Sequence, residues 1–368
     1  MPTYANGATD GDDQWYVAQP GSFTLDGHGG TDTLQLGTAL RSNYSITLAS
    51  DGSVHVDSIT AASGKVLKAV LVNMEILTFD SGRDVVDLRT YFGTSVKSIL
   101  GTNGNDTLQS TSANEIIDGG AGIDTLQYQG KLSGYKVAMT GANGTVTDTT
   151  AGRDGTDTIA NIEHLRFTDF DINTGIKALA SSMNTATVQR VMELYVAFFN
   201  RTPDSDGLTY WLGQSKAGTS TTQIAESFYG VGVQYTSLTG FSSTMTTTDF
   251  INVVYRNVLG RAEGADAGGL QYWTEKLTTG KETRGSLVST ILDAAHTYKG
   301  DATYGWVANL LDNKITVATK VAIDWGLNYL TADASVSNGM AIAKAVTPTD
   351  TTAAIALVGV PEGTVILG

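Results

Sequence analysis

The chain of 368 residues contains no cysteine. That absence excludes disulfide scaffolds and thiolate metal sites. The four histidines, His28, His55, His164 and His296, are scattered and leave no imidazole set for zinc. Cationic residues are scarce: 23 Lys and Arg stand against 37 Asp and Glu, a formal charge of −14. Nucleic acid is therefore not an expected partner, because neutralising phosphates takes an excess of Lys and Arg. No run approaches the roughly 20 apolar residues of a membrane span. The opening MPTYANGATDGDD is polar and acidic and does not read as a cleavable export signal. Also missing are His-Glu-x-x-His, Gly-x-Ser-x-Gly and a Walker loop. Carboxylates are too abundant for any pair to stand out as a glycosidase set. No catalytic residue is assigned, and the chain is not expected to be an enzyme.

What is plentiful is glycine, 42 residues against 5 prolines. Five segments share a small residue, any residue, Asp, any residue, then a large apolar one: GDDQW (11–15), GTDTL (30–34), GNDTL (104–108), GIDTL (122–126) and GTDTI (155–159). GGAGIDTLQ (119–127) has the full form G-G-x-G-x-D-x-U-x, and GTNGNDTLQ (101–109) keeps most of it. Asp106, Glu115 and Asp124 fall nine residues apart in register. A nonapeptide period of this kind marks a parallel β-roll. The apolar residue points inward from a short strand, and the glycines turn the chain through conformations closed to residues with a Cβ. One coil takes two nonapeptides, so Asp106 and Asp124 are expected on the same edge. Carboxylates beside turn carbonyls form an all-oxygen cage suited to Ca²⁺. Asp157 lacks upstream glycine turns and is not expected to be a strong site.

The cassette is written twice. TLDGHGGTDTLQL (24–36) aligns with IIDGGAGIDTLQY (116–128), and GDDQW aligns with GNDTL, with one inserted residue. Asp13 and Asp32 thus correspond to Asp106 and Asp124, and Asp26 to Asp118. SNYSIT (42–47) parallels SGYKVA (133–138), DGSVHVDS (51–58) parallels NGTVTDTT (143–150), and VNMEILTFD (72–80) parallels ANIEHLRFTD (160–169). The candidate metal-site residues are Asp13, Asp26, Gly30, Asp32, Gly104, Asp106, Asp118, Gly122 and Asp124, with Ca²⁺ as the expected cofactor. His28 lies inside a turn and replaces a glycine.

From about residue 183 the texture becomes helical. Val188, Val191, Met192, Tyr195, Phe198 and Phe199 form one apolar face, and Ile251, Val254, Tyr255 and Val258 form another. Each face is followed by an Arg, an acidic turn and Gly-Leu-x-Tyr-Trp: NRTPDSDGLTYW (200–211) and GRAEGADAGGLQYW (260–273). Further helices are expected at about 221–229, 284–296, 303–312 and 316–330. Asp204 or Asp206 is expected to cap the helix that follows, and the Trp and Tyr residues to anchor a core. A partner or glycan contact through Arg201, Tyr210, Trp211, Arg261, Tyr272 and Trp273 is the alternative role.

The fold class expected is multidomain, with two tandem β-rich units carrying short parallel β-roll calcium turns and an all-α helical domain after them. The divisions fall at 1–97, 98–180, 181–330 and a C-terminal tail, 331–368. The glycine–aspartate segments resemble the repeats-in-toxin, or haemolysin-type calcium-binding, family. The Asn-x-Glu-x-Leu-x-Phe strand resembles a sequence that often accompanies those repeats. The helical motif resembles a domain of unknown function related in pattern to phycobilisome linkers and common in surface-layer-associated proteins. The resemblance implies export by type I secretion machinery through an uncleaved signal, here the tail. It also implies folding on calcium outside the cell, since a ion that binds only the folded state stabilises it. The expected function is an extracellular, calcium-dependent structural protein, surface-layer-like or matrix-forming, whose partner is itself. The alternative is an adhesin or lectin-like module for cell-surface polysaccharide or lipopolysaccharide.

Overall fold

The computed structural model describes residues 9, 11–17, 21–49, 53–59, 66–91 and 97–368. The Asp51–Gly52 hairpin turn lies outside them. In chain order the strands are β1 (Gln14–Tyr16), β2 (Ser22–Asp26), β3 (Thr33–Gln35), β4 (Tyr44–Leu48), β5 (Val54–Ser58), β6 (Lys68–Val72), β7 (Ile76–Phe79), β8 (Asp84–Asp87), β9 (Lys97–Leu100), β10 (Thr107–Gln109), β11 (Glu115–Asp118), β12 (Thr125–Gln127), β13 (Tyr135–Thr140), β14 (Asn143–Asp148), β15 (Thr156–Ala160), β16 (His164–Arg166), β17 (Phe170–Asn173), β18 (Leu327–Tyr329) and β19 (Val365–Ile366). The helices are α1 (Leu88–Tyr91), α2 (Ile176–Ser181), α3 (Thr185–Phe199), α4 (Ser205–Lys216), α5 (Thr221–Gly232), α6 (Thr236–Thr239), α7 (Thr247–Leu259), α8 (Ala267–Thr278), α9 (Arg284–Thr297), α10 (Gly305–Thr319), α11 (Ala332–Ala345) and α12 (Thr352–Val358). A β-rich region is followed by a helical one. The chain forms two compact units: Met1–Gln129 with Ala142–Glu163, and Gly130–Gly141 with His164–Gly368.

In the first unit, three-residue strands follow each glycine turn, and the central residue of each points inward. Trp15, Leu34 and Leu77 stand side by side in parallel register across β1, β3 and β7. Leu25 pairs with Leu71 where β2 runs parallel to β6, and the hairpin β4–β5 completes that sheet. Leu25, Leu34, Val56, Leu71, Leu77 and Phe79 are all buried in one apolar cluster. Each contributes about 1.5–3 kcal/mol by leaving water. The second cassette repeats the arrangement. Leu108 pairs with Leu126 between β10 and β12, and Ile99, Ile117 and Ile159 align across β9, β11 and β15. The glycine turns of both cassettes lie within this one unit, while residues 130–141 and 164 onward of the second cassette belong to the other.

The second unit is built on α3 and α7. Asn184 caps α3 by accepting from Ala186 N–H, and Asn200 ends it in the left-handed region at φ 46°. Thr246 and Gly260 do the same for α7. Their apolar faces are buried at Val191, Tyr195, Phe198, Ile251, Val254 and Val258. Lys314 on α10 is buried and donates to Asn200 Oδ1 at 3.2 Å and to the Asn257 carbonyl at 3.3 Å. Burial lowers its pKa to about 8. The helices expected at 303–312 and 316–330 are one run. α10 carries an unbroken buried face through Leu311, Lys314, Ile315 and Ala318. It then widens into a π turn, Lys320–Asp324, and Gly326 at φ +59° starts β18. Among the described residues no helix is long and apolar enough to cross a membrane.

The tail, 331–368, is folded into α11, α12 and β19. α11 lies against the Arg201–Asp204 turn, where Thr202 N–H donates to the Gly339 carbonyl at 3.1 Å. β19 pairs with β13, Val365 opposite Val137, and both Val365 and Leu367 are buried. A Cβ on Gly339 would sit 2.8 Å from the Thr202 carbonyl oxygen, whereas one on Gly213 in α4 meets nothing within 4 Å. Gly339→Ala is therefore expected to cost about 1–3 kcal/mol by overpacking, and Gly213→Ala to stabilise by about 0.5–1 kcal/mol. Thermal unfolding of the two variants, read by circular dichroism, checks the ordering.

Candidate metal centre

The aspartates of the glycine turns are linked by one repeated contact. Asp13 N–H donates to Asp32 Oδ1 at 2.9 Å, and Asp106 N–H donates to Asp124 Oδ1 at 2.8 Å. The residues are 19 and 18 apart, so the inserted residue of the first cassette is absorbed without losing the contact. Each ladder starts on a threonine: Thr9 N–H donates to Asp13 Oδ2 and Thr102 N–H to Asp106 Oδ2, both at 2.6 Å. Each is extended by a residue that the repeat pattern does not single out. Asp32 N–H donates to Glu75 Oε2 and Asp124 N–H to Glu163 Oε2, both at 2.8 Å. The Asn-x-Glu-x-Leu-x-Phe segment thus supplies the next coil, with Glu in the aspartate slot and Leu two residues on. The signal was present in the parallel between Asp32-Thr-Leu34 and Glu75-Ile-Leu77. On the other edge, Thr111 N–H donates to Glu115 at 2.9 Å, and Glu115 N–H to Asp157 Oδ1 at 3.1 Å.

The glycines let the coils approach. His28 and Gly120 occupy the same turn position at φ +60° and +83°, and Gly30 and Gly122 lie at +110° and +139°. A Cβ on Gly27 would fall 2.1 Å from the Asn73 carbonyl oxygen and 2.5 Å from Asp32 Oδ2. One on Gly119 would fall 2.0 Å from the Asn161 carbonyl oxygen and 2.7 Å from Asp124 Oδ2. A carbonyl and a carboxylate oxygen therefore pack directly against each of these glycines, an approach that any side chain would block. Asp32 and Asp124 are fully buried, and their Oδ2 atoms have no hydrogen-bond partner among the described residues. An orphaned buried carboxylate oxygen is costly. Asp157 differs: its Oδ2 accepts from Ser110 Oγ at 2.8 Å.

Asp26 and Asp118 hold the turns. Asp26 Oδ1 accepts from His28 N–H and Asn73 Nδ2, and Asp118 Oδ1 accepts from Gly120 N–H and Asn161 Nδ2. Asn73 Nδ2 also reaches Asp118 Oδ2 at 3.2 Å, joining the two cassettes. Gly104 lies beneath the turn of the next coil, its carbonyl oxygen 2.8 Å from where a Cβ on Gly122 would be. Gly11 stands in the same relation to Gly30. Among the described residues, no three carboxylate or imidazole side chains gather as a metal cluster. A cation here would take one or two carboxylates together with turn carbonyls. The orphaned Oδ2 atoms beside turn carbonyls are the oxygen chemistry that a hard, oxygen-liganded ion would use.

Burial, opposed by the Asp13 N–H and reinforced by Glu75, pushes the Asp32 pKa up to about 6. Burial, with Glu163 and Asp106 nearby, also raises Asp124. Asp157 is pushed up to about 7, again mainly by burial.

In the second unit the two copies of the arginine motif are superposable in their chemistry. Arg201 lies over the Tyr195 ring and Arg261 over Tyr255, at 5.0 and 5.5 Å. Asp204 and Asp266 cap α4 and α8, accepting from Gly207 and Gly269 N–H at 2.7 and 2.9 Å. Trp273 Nε1 donates to Tyr255 Oη at 2.8 Å, and Trp273 is buried. Trp211 packs on Phe228 with centroids 4.9 Å apart. Both tryptophans therefore sit with the core, while Tyr210 and Tyr272 are exposed.

Both copies match one domain family. Residues 177–230 and 237–297 fit a domain of unknown function, DUF4214. The match covers the helical motif and not the β-rich region. No curated protein matches the chain. Among solved structures, the extracellular lipase LipA from Serratia marcescens is similar at 14% identity and a TM-score of 0.17, over 42% of this chain and 37% of the lipase. The chain spans little more than a third of that lipase, and a likeness of this size carries no argument about activity.

With divalent cations removed, the β-rich unit is expected to lose stability as pH rises from about 4 to about 7. Across that window the folded state holds protons at Asp32 and Asp157, whose pKa values are about 6 and about 7, that the unfolded chain has already released. Unfolding midpoints of chelator-treated protein against pH check the sign; a rise with pH would contradict it.

Proposed function

We propose that the chain is an extracellular structural protein whose β-rich unit is completed by calcium. The supporting observation is the pair of fully buried aspartates, Asp32 and Asp124, each with one carboxylate oxygen left without a protein partner beside a glycine turn. The two turns would each take an ion through that oxygen and neighbouring carbonyls, with Asp13, Asp106, Glu75 and Glu163 fixing the coils around them. Calcium suits such irregular oxygen cages better than magnesium, which demands tighter octahedral geometry. The parallel coils then act as a short calcium β-roll. The net charge of −14 sets copies of the chain against one another, and divalent ions lower that barrier. Surface-layer-like or matrix-forming self-association follows as the role of the assembled chain, without an enzymatic step. Export through type I secretion machinery belongs to the same reading: without calcium the β-rich unit is less stable and more readily held unfolded for passage.

Calcium at millimolar concentration is expected to raise the thermal midpoint of the β-rich unit, and magnesium to raise it far less. Asp124→Ala should weaken the calcium response more than Asp157→Ala, since only Asp124 presents an orphaned oxygen. Light scattering and electron microscopy under the same titration should show ordered assemblies that chelator disperses. Identical melting in EDTA and in calcium would remove the cation from the proposal, and a monodisperse monomer in calcium would remove the assembly.

A further inference from the structure

The two copies of the arginine motif are built alike and finished differently. In the first, the hydroxyl of Ser335 on α11 donates to Asp204 Oδ2 at 2.7 Å and lies 3.3 Å from Arg201 Nη1. A neutral hydroxyl thus bridges the carboxylate and the guanidinium, and α11 covers the pair. Ser335, Arg201 and Gly207 N–H together hold Asp204 below the usual carboxylate range despite its burial. In the second copy, Arg261 approaches Asp266 Oδ2 at only 3.4 and 3.5 Å, and among the described residues no hydroxyl bridges them. The pair opens into a cleft of about 430 Å³.

That cleft is walled by aromatic rings. Trp273 lines it together with Tyr272, Tyr298 and Tyr304, and these three tyrosines are 51%, 39% and 39% exposed. Tyr298 and Tyr304 lie 5.4 Å apart at 57°, and Arg261 is within 5.8 Å of the Tyr304 centroid. We propose that this cleft is a carbohydrate subsite. One sugar hydroxyl takes the place that Ser335 Oγ holds in the first copy, donating to Asp266 and accepting from Arg261. The apolar C–H face of the ring lies on the tyrosines. A volume of this size accommodates one or two sugar rings. A helix like α11 fits less well, because the turn is rebuilt. Four residues separate Arg261 from Asp266, against two between Arg201 and Asp204. The longer turn closes on itself through Gly264 N–H to the Arg261 carbonyl, and Ala265 N–H is taken by Asn252 Oδ1. This site does not depend on the calcium turns.

The test is saturation-transfer NMR on the full chain in calcium, with glucose, galactose, mannose, rhamnose, N-acetylglucosamine, maltose and lactose as probes. Calorimetry on the strongest binder then compares variants. Tyr272→Ala and Asp266→Asn should each weaken binding at least about tenfold, the loss expected when a stacked ring or a charged hydrogen bond is removed. Asp266→Asn keeps a competent helix cap, so the fold is retained. Tyr210→Ala, at the equally exposed tyrosine of the first copy, should leave the affinity within about twofold, as expected of a surface change away from the site. No transfer to any of the seven sugars would overturn the proposal. So would equal weakening by Tyr210→Ala, or binding of a synthetic Ala332–Ala345 peptide with no sugar bound.

Discussion

The β-rich unit depends on one hydrogen bond, made repeatedly: a buried carboxylate accepts the backbone N–H of the corresponding residue one coil earlier. It fixes the register of each coil on the next, so that Trp15, Leu34 and Leu77 meet in the core. A slip of one residue would turn every inward side chain out. The same bond forces acids into the interior. Asp32, Asp124 and Asp157 are fully buried because the N–H they serve lies between packed coils. Register and electrostatic cost therefore have the same origin, and neither can be removed by itself.

Much of this was legible in the sequence, because the aspartate period and the glycine positions are set by the backbone. Asp106 and Asp124 were placed on one edge from spacing, and His28 was placed in a glycine slot that it occupies at φ +60°. Glu75 and Glu163 were missed as rungs. A hairpin separates them from the preceding aspartate by 43 and 39 residues, so no fixed period reaches them. Only the local pattern, an acid two residues before an inward Leu, carried the information. Whether the duplicated cassettes touch was also beyond the sequence, since the contact is Asn73 reaching Asp118, a residue of the other copy. The order of the tail was hidden for a different reason. α11 buries only Gly339, Ile342 and Ala343 and is joined to the Arg201–Asp204 turn by a glycine carbonyl and a serine hydroxyl, contacts that hydrophobic periodicity cannot show.

The helical duplication separates what a motif fixes from what it leaves open. Arg over Tyr, Asp as cap and Gly beneath the tyrosine hydroxyl recur in both copies, because each helix start needs its orphaned N–H groups satisfied. Glycine at 207 and 269 is required, since a Cβ would fall 2.7 and 2.8 Å from the tyrosine oxygens. The length of the turn between Arg and Asp is under no such demand. In one copy it is short and seats α11; in the other it is longer and leaves the charged pair at the mouth of an aromatic cleft. Identical frames thus end in a structural joint and an open surface.

A buried carboxylate oxygen without a protein donor is met by a proton, an ordered water or a cation. With its pKa near 6, Asp32 keeps a proton only below neutrality. Above that its charge is unmatched by its neighbours, because Glu75 and Asp13 add negative charge rather than remove it. No lysine or arginine supplies the match at Asp32 or Asp124 among the ion pairs of the described residues. On the calcium reading proposed above, an ion at Asp32 and Asp124 would make the stability of the β-rich unit a function of its surroundings.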